Sequence, residues 1–177
     1  MGSAIFSPCG TYRYRLERPD VFGDWTTAVI MVNPSTADAT QDDATIRKLI
    51  GFRNRYAWGN LIVGNLFAYR ATKVRELATA DDPIGPDNDY HLWSIIREAQ
   101  DIVVAWGPTD KLPRALRERW KYVLNIAQPL GKRIRSIGAP AKHGHPCHPL
   151  MLPYTRKLQD WPTPDNPPFP PFLECWI

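Results

Sequence analysis

Three short, continuously apolar runs constrain the fold of this chain more than any other feature. They lie at residues 28–33 (AVIMVN), 60–66 (NLIVGNL) and 101–106 (DIVVAW). Each is rich in β-branched residues and has the length of a strand that is buried on both faces. Residues 133–137 form a weaker fourth run, and residues 11–16 (TYRYRL) alternate as an edge strand or a hairpin arm does.

Helical periodicity fills the segments between these runs. Residues 42–57, 86–100 and 111–127 place apolar side chains at spacings of three and four, which predicts three helices. Strands that alternate with helices predict an α/β fold with a doubly wound, mainly parallel central sheet flanked by helices. The alternating segment near the N-terminus adds the edge strand or hairpin to this sheet.

The prolines of the chain are concentrated near its C-terminus, where residues 140–177 hold ten of the 18. A length of 177 residues suits one domain, which we place at residues 1–160. Residues 161–177 (WPTPDNPPFPPFLECWI) are too rich in proline for a helix or a central strand, so we predict an extended tail. Its aromatic residues favour packing on the domain, and binding to a recognition module is the alternative.

The composition excludes a membrane span and disfavours secretion. No apolar stretch approaches the roughly 18–20 residues that cross a bilayer, and residues 1–8 lack the pattern of a signal peptide. Three cysteines (Cys9, Cys147 and Cys175) cannot all pair with one another, which favours a reduced, cytoplasmic setting.

The net charge of +4 conceals a strong charge pattern. Residues 44–75 hold seven Lys or Arg and no acid, and residues 111–135 hold eight basic residues against Glu118 alone. The segment between them, residues 76–101, is acidic. If the two basic segments share a face, they form a surface suited to phosphates. The alternative is that both are ordinary solvated helix faces.

Polar residues follow every predicted strand at the edge where an open α/β sheet binds its ligands. These rim residues are Asn33, Pro34, Ser35, Thr36, Asp38, Asp42, Asp43, Asn65, Phe67, Arg70, Trp106, Gly107, Lys142 and His148. Structural explanations remain open for several: the hydroxyl residues could cap a turn, and the aspartates could be helix-start acids. Arg70 is either a fork for phosphate or carboxylate or a solvated loop residue.

The histidine-rich segment at residues 142–149 (KHGHPCHP) does not predict a metal site, because its spacing matches no standard zinc pattern. His148 is either a contact to an oxyanion or phosphate or a structural residue. The chain has no phosphate-binding glycine fingerprint and no nucleophile elbow, and Cys147 beside its histidines is a poor candidate nucleophile.

Seven motifs together resemble a bacterial and phage family, the domain of unknown function 1643. The resemblance covers roughly residues 9–153, with the motifs CGTYRYRL, VNPSTAD, DDATIRKLIGF, GNLFAYRAT, DPIGPDND, VVAWG and HPCHPLMLP. A more distant similarity is to the uracil-DNA glycosylase superfamily. The motifs of that superfamily have counterparts in the same order in this sequence. They are Asn33-Pro34 after the first apolar run, Arg70-Ala71-Thr72 after the second, Gly107 at the end of the third, and His148-Pro149.

The distant resemblance implies a glycosylase-like fold and hydrolysis of an N-glycosidic bond in nucleic acid, with DNA favoured. It implies that Asn33 orients the hydrolytic water and that His148 stabilises charge on the departing base. Asp38 and Asp43 join them as candidate catalytic carboxylates, because a carboxylate near the sugar carbon also positions water. The base would be flipped between aromatic residues, for which Phe67, Tyr69 and Trp106 are candidates if they are not core residues.

Ser35 stands where mismatch-type glycosylases have Gly, and three cysteines are too few for an iron–sulfur cluster. We therefore expect no cofactor and no metal, and we favour a monomer. Two other functions remain open: a nucleotide or modified-base binding protein without catalysis, and a hydrolase of a modified free nucleotide. An interaction protein that acts through the proline-rich tail is a third hypothesis.

Overall fold

The computed structural model describes residues 2–21 and 23–162, which form an α/β structure around one mixed sheet. The sheet has seven strands in the order β1-β2-β4-β3-β5-β6-β7. The strands are β1 Ser3–Phe6, β2 Arg13–Arg18, β3 Thr26–Met31, β4 Asn60–Asn65, β5 Asp101–Val104, β6 Arg133–Ile137 and β7 Leu158–Asp160. The helices of the described residues are α1 Ala44–Tyr56, α2 Asn88–Glu98 and α3 Lys121–Ala127.

The central strands β4, β3, β5 and β6 are parallel to one another, as the alternating pattern predicts. The remaining three pairings, β1 with β2, β2 with β4 and β6 with β7, are antiparallel. The prediction of a mainly parallel sheet is therefore not confirmed, and the sheet is mixed. The N-terminal hairpin lies at one edge of the sheet, and the unpredicted strand β7 closes the other.

Helices cover both faces of the sheet, which is the doubly wound arrangement. One face packs on α1 through Ile46, Leu49 and Phe52. The other face packs on α2 and α3, with Leu92 and Val123 among the buried contacts. Gly64 of β4 allows α2 to approach closely, because a Cβ there would lie 3.1 Å from Ile95 and 3.2 Å from Leu92.

The third predicted helix, residues 111–127, is wrong in its first half. The chain forms two single 3-10 turns, Thr109–Lys111 and Arg114–Leu116, and α3 begins only at Lys121. Pro113 explains the difference, because proline lacks an N–H and pushes the preceding residue out of the helical region. Leu112 accordingly has extended angles, with φ −79° and ψ 150°.

The predicted C-terminal tail begins at a buried residue. Trp161 packs edge-on against Trp106 and Trp120, with ring centroids 5.2 and 5.8 Å away. Its indole N–H donates to the Gly144 carbonyl at 2.7 Å. The rest of the tail, residues 163–177, lies outside the described residues. Within the described part, no helix is long and apolar enough to span a membrane.

Candidate active site

The chain reverses direction across the sheet at β3. The connection from β3 to β4 carries α1 on one face, and the connection from β4 to β5 carries α2 on the other. Ligands of open α/β sheets bind in the crevice that such a switch leaves at the carboxyl ends of the strands. A cleft of about 450 Å³ lies there. The predicted rim residues that line it are Asn33, Ser35, Asp43, Asn65, Trp106, Gly107 and His148.

Asn33 lies just beyond the end of β3, and hydrogen bonds fix its amide. Its Nδ2 donates to the carbonyl of Ala71 at 2.7 Å and to that of Pro34 at 3.1 Å. The Pro34 carbonyl also accepts from the Ala71 backbone N–H at 3.0 Å. Because both N–H donors of Asn33 are used, the group that it can offer a ligand is the acceptor Oδ1.

Asp43 is the N-cap of α1 and the only carboxylate residue among those that line the described cleft. Its Oδ1 accepts from the backbone N–H of Ile46 at 2.9 Å. The cap uses one carboxylate oxygen, so the second can accept a hydrogen bond from water or a ligand. Asp43 can therefore be both the acid that begins α1 and a residue that binds a ligand at the edge of the sheet.

His148 is a neutral hydrogen-bond donor at pH 7. Burial lowers its pKa below the ordinary value of 6.5, although the negative charge of Asp43 opposes this. Its Nδ1 accepts from the Leu150 backbone N–H at 3.3 Å, so the proton of the neutral ring is on Nε2. Gly107, with φ +77°, gives His148 room, because a Cβ there would lie 3.3 Å from the His148 Cβ.

Asn65 and Trp106 form the buried end of the cleft. Asn65 ends β4 and is 1% exposed, and its Nδ2 has no hydrogen-bond partner among the described residues. The neighbouring Asn88 donates from its own Nδ2 to the carbonyls of Asn65 and Leu66, at 3.2 and 3.0 Å. These bonds hold the strand end in place. An orphaned amide that lines a cleft can bind a polar ligand edge.

Other predicted residues lie away from this cleft. Phe67 is fully buried in the core, so its ring cannot stack on a base. Asp38 accepts from the backbone N–H groups of Thr40 and Gln41 within its own loop, both at 2.8 Å, and these bonds lower its pKa. Asp42 forms an ion pair with Arg18 at 2.7 Å.

A second groove of about 390 Å³ adjoins the cleft and shares Ser35, Ala71 and Thr72 with it. Two more predicted residues, Thr36 and Arg70, line this groove. Arg70 is exposed, donates to the Gly10 carbonyl at 3.0 Å and lies over the ring of Phe6. Pro34 is buried beside the cleft, and Lys142 begins a short 3-10 turn.

The sequence did not predict Arg13 as a site residue, although it lines the cleft. Its position in an alternating edge strand gave no signal of burial. In the structure, arginines of β2 hold the loop that follows β3: Arg13 donates to the Ala37 carbonyl and Arg18 to that of Asp38, both at 2.6 Å. These bonds join the loop to β2, and Arg13 is buried. Burial lowers the pKa of Arg13 to about 10, so it remains charged at pH 7.

The basic segment at residues 111–135 is partly neutralised by ion pairs. These pairs are Arg119 with Asp89, Lys121 with Glu118, Arg133 with Asp160 and Arg135 with Asp101. No group of three or more His, Cys, Asp or Glu in the described residues could hold a metal ion.

The family model described as "Protein of unknown function (DUF1643)" matches residues 13–150. The chain belongs to this family. The match confirms the first resemblance predicted from the motifs, over nearly the same span. No curated protein and no solved structure matches the chain. The similarity to uracil-DNA glycosylases has no support from these comparisons.

We expect stability to fall between pH 7.5 and 5.5. Burial lowers the pKa of His91, His145 and His148 in the folded state. The unfolded chain therefore binds more protons as the pH drops below about 6.5, which favours unfolding. The urea midpoint should decrease over this range. The urea midpoint of His148→Asn should decrease less steeply with falling pH than that of the wild-type protein, and equal slopes in the two proteins would contradict this explanation.

Proposed function

We propose that the protein hydrolyses the N-glycosidic bond of a damaged or modified base in nucleic acid, with DNA as the favoured polymer. The observation that carries the proposal is the composition of the cleft. It combines two acceptors suited to a water molecule, from Asn33 and Asp43, with a neutral histidine donor at His148. A volume of about 450 Å³ is in the range of small-molecule sites and accommodates a nucleotide.

The reaction requires stabilisation at two places. As the bond between C1′ and the base nitrogen breaks, its electron pair leaves with the base and positive charge develops on the sugar. The oxygen of water forms the new bond to C1′. A proton of this water moves to the carboxylate of Asp43, which acts as the general base. Asn33 Oδ1 orients this water by accepting its second hydrogen.

The base would be held at the buried end of the cleft. Nucleobase edges carry amide-like donors and acceptors, which match the unpartnered amide of Asn65. His148 donates from Nε2 to a base oxygen on which negative charge develops. A neutral donor is suited to this task, because the hydrogen bond strengthens as the base becomes anionic.

Two surface features support a polymeric substrate. Leu150 lines the cleft and Met151 beside it is 88% exposed, which is unusual for a large apolar side chain. Exposed apolar side chains next to a base pocket can insert into the stack that a flipped base leaves. The adjoining groove presents Thr11, Thr36 and Arg70, whose hydroxyl and guanidinium groups bind phosphates.

We further propose that the fold is of the uracil-DNA glycosylase type. The support is the arrangement of four motifs. Asn33-Pro34 follows β3, the Arg70-Ala71-Thr72 segment follows β4, Gly107 follows β5, and His148-Pro149 lies beside them. The central parallel strands with helices on both faces are compatible with such a fold.

The direct test is incubation with oligonucleotides that carry uracil, hypoxanthine or modified pyrimidines, in single and double strands, with detection of abasic sites. We expect base release from at least one of them. Cleavage of free nucleotides alone would assign the protein to nucleotide hydrolysis. Binding without release from any substrate would assign it to the non-catalytic class.

Asn33→Ala separates a catalyst from a binding protein. We expect base release to slow by about 10²-fold or more, because the water loses its orienting acceptor. Oligonucleotide affinity should remain, and loss of the two hydrogen bonds from Nδ2 should cost about 1 kcal/mol each in stability. The exposed Asn54→Ala on α1 is the control, and equal activity of the two variants would rule out this role for Asn33.

A further inference from the structure

Strand β2 carries three buried arginines that differ in their partners. Arg15 forms ion pairs with Glu17 and Glu98. Arg18 pairs with Asp42 at 2.7 Å. Arg13 is the most buried of the three, at 2% exposure, yet it forms no ion pair with any described residue.

The hydrogen bonds of Arg13 leave most of its donors unused. Nη1 donates to the Ala37 carbonyl at 2.6 Å, and Nε has no partner among the described residues. A buried charge without a counterion is costly, since water no longer solvates it. Asp43 is near enough to offset part of this cost electrostatically, but it does not reach Arg13 as an ion pair.

The other groups of the cleft compensate this charge only in part. Arg13 and Lys111 are its cations, Asp43 is its carboxylate, and His148 is neutral at pH 7. The described residues of the lining therefore carry a net charge of about +1 at pH 7, with Arg13 buried and Lys111 exposed. Such a cleft attracts an anion to its interior.

We propose that Arg13 receives a phosphate group of the substrate inside the cleft. The neighbouring residues suit several oxygens, because three hydroxyl-bearing residues, Ser35, Thr45 and Thr72, line the same cleft, as does Ala44, the first residue of α1. The first N–H groups of a helix have no acceptor within it and bind phosphate readily. The guanidinium supplies the charge and a planar pair of donors.

The phosphate has two possible sources that share this chemistry. It is the backbone phosphate of the flipped nucleotide in a polymer, or the phosphate of a free nucleotide. This assignment rests on the proposed function in taking the anion as part of the substrate. The anion site itself is measurable without any base release.

The experiment compares thermal unfolding in inorganic phosphate and in chloride at equal ionic strength. We expect phosphate to raise the Tm of the wild-type protein and of Arg15→Gln, which removes a paired arginine from the same strand. The increase should be lost in Arg13→Gln and Arg13→Met. Calorimetry should show phosphate affinity weakened at least about tenfold in both, the effect of removing a charged hydrogen bond.

Without phosphate, Arg13→Met should be no less stable than the Arg15 variant, because it removes an unpaired buried charge. An equal phosphate-dependent increase in Tm in the wild-type protein and both Arg13 variants would overturn the proposal. If neither variant folds, NMR of the wild-type arginine Nε–H signals decides. Phosphate should shift the Arg13 signal and leave that of Arg15 in place, and no shift at Arg13 would also overturn it.

Binding experiments with different substrates separate this inference from the proposed function. Arg13→Gln should weaken binding of a 5′-mononucleotide more than that of the matching nucleoside if free nucleotides are the source. It should weaken oligonucleotide binding instead if the backbone is the source. Arg13-dependent phosphate binding without base release would remove the glycosylase function and leave the anion site. Base release in which Arg13→Gln changes neither mononucleotide nor oligonucleotide binding would remove the anion site and leave the glycosylase function.

Discussion

Asp43→Asn is expected to slow base release by about 10²–10⁴-fold and to cost little stability, namely the part of the buried Arg13 charge that Asp43 offsets. The two effects separate because Asp43 has two roles. As the N-cap of α1 it needs only an oxygen that accepts from Ile46, and asparagine caps helices as well as aspartate does. As the proton acceptor for water it needs a carboxylate, which asparagine lacks. Single-turnover base release and urea unfolding measure the two quantities independently.

Asp42→Asn is the matched control for this substitution. Asp42 is the adjacent residue, carries the same charge and pairs with Arg18, but it does not line the cleft. We expect it to lose some stability and to keep its turnover, which is the opposite pattern. Full activity of Asp43→Asn would exclude Asp43 as the general base and leave the water to Asn33 alone.

The largest stability loss is expected for Trp161→Ala, at about 3–5 kcal/mol. The substitution empties a space between Trp106 and Trp120 and removes the hydrogen bond to the Gly144 carbonyl. Because Trp106 lines the cleft, the loss should also reduce substrate binding. Urea unfolding at pH 7.5 measures the first effect and oligonucleotide affinity the second.

Two further variants divide the contribution of Trp161. Trp161→Phe keeps an aromatic ring and should lose about 1 kcal/mol, chiefly from the hydrogen bond. Trp93→Ala removes a partly exposed tryptophan from α2 and should cost less than about 1 kcal/mol. If Trp161→Ala were no more destabilising than Trp93→Ala, the buried packing at residue 161 would not contribute to the fold as described.

The strands were predictable because burial on both faces leaves a continuous apolar run. The run at residues 60–66 became β4, Asn60–Asn65, and the weaker run at residues 133–137 became β6. The helix at residues 42–57 was predictable from its periodicity and its initial acids, and α1 begins after Asp43. Periodicity wrongly predicted a helix at residues 111–120, because the spacing of apolar residues does not include the effect of a single proline on the backbone.

The site was harder to predict, since sequence position alone does not give side-chain direction. Asn33 and Asn65 were located by the rule that ligands bind at strand ends, and both line the cleft. Phe67 also follows the end of β4, but its side chain lies in the core. Arg13 belongs to a strand whose pattern predicts one wet face, but it is buried and donates to the Ala37 carbonyl in a loop from elsewhere in the chain. A long-range contact of this kind leaves no local signal.

The position of β3 between β4 and β5 has a consequence for the folding kinetics. Val29 of β3 pairs with Val63 on one side and with Val103 on the other, so each pairing closes a long stretch of chain. Pairings between distant segments are slow to form, because the chain loses loop entropy before contacts compensate for it. The cleft has walls from both sides of β3. We therefore expect ligand binding to recover late in refolding, after helical signals have returned.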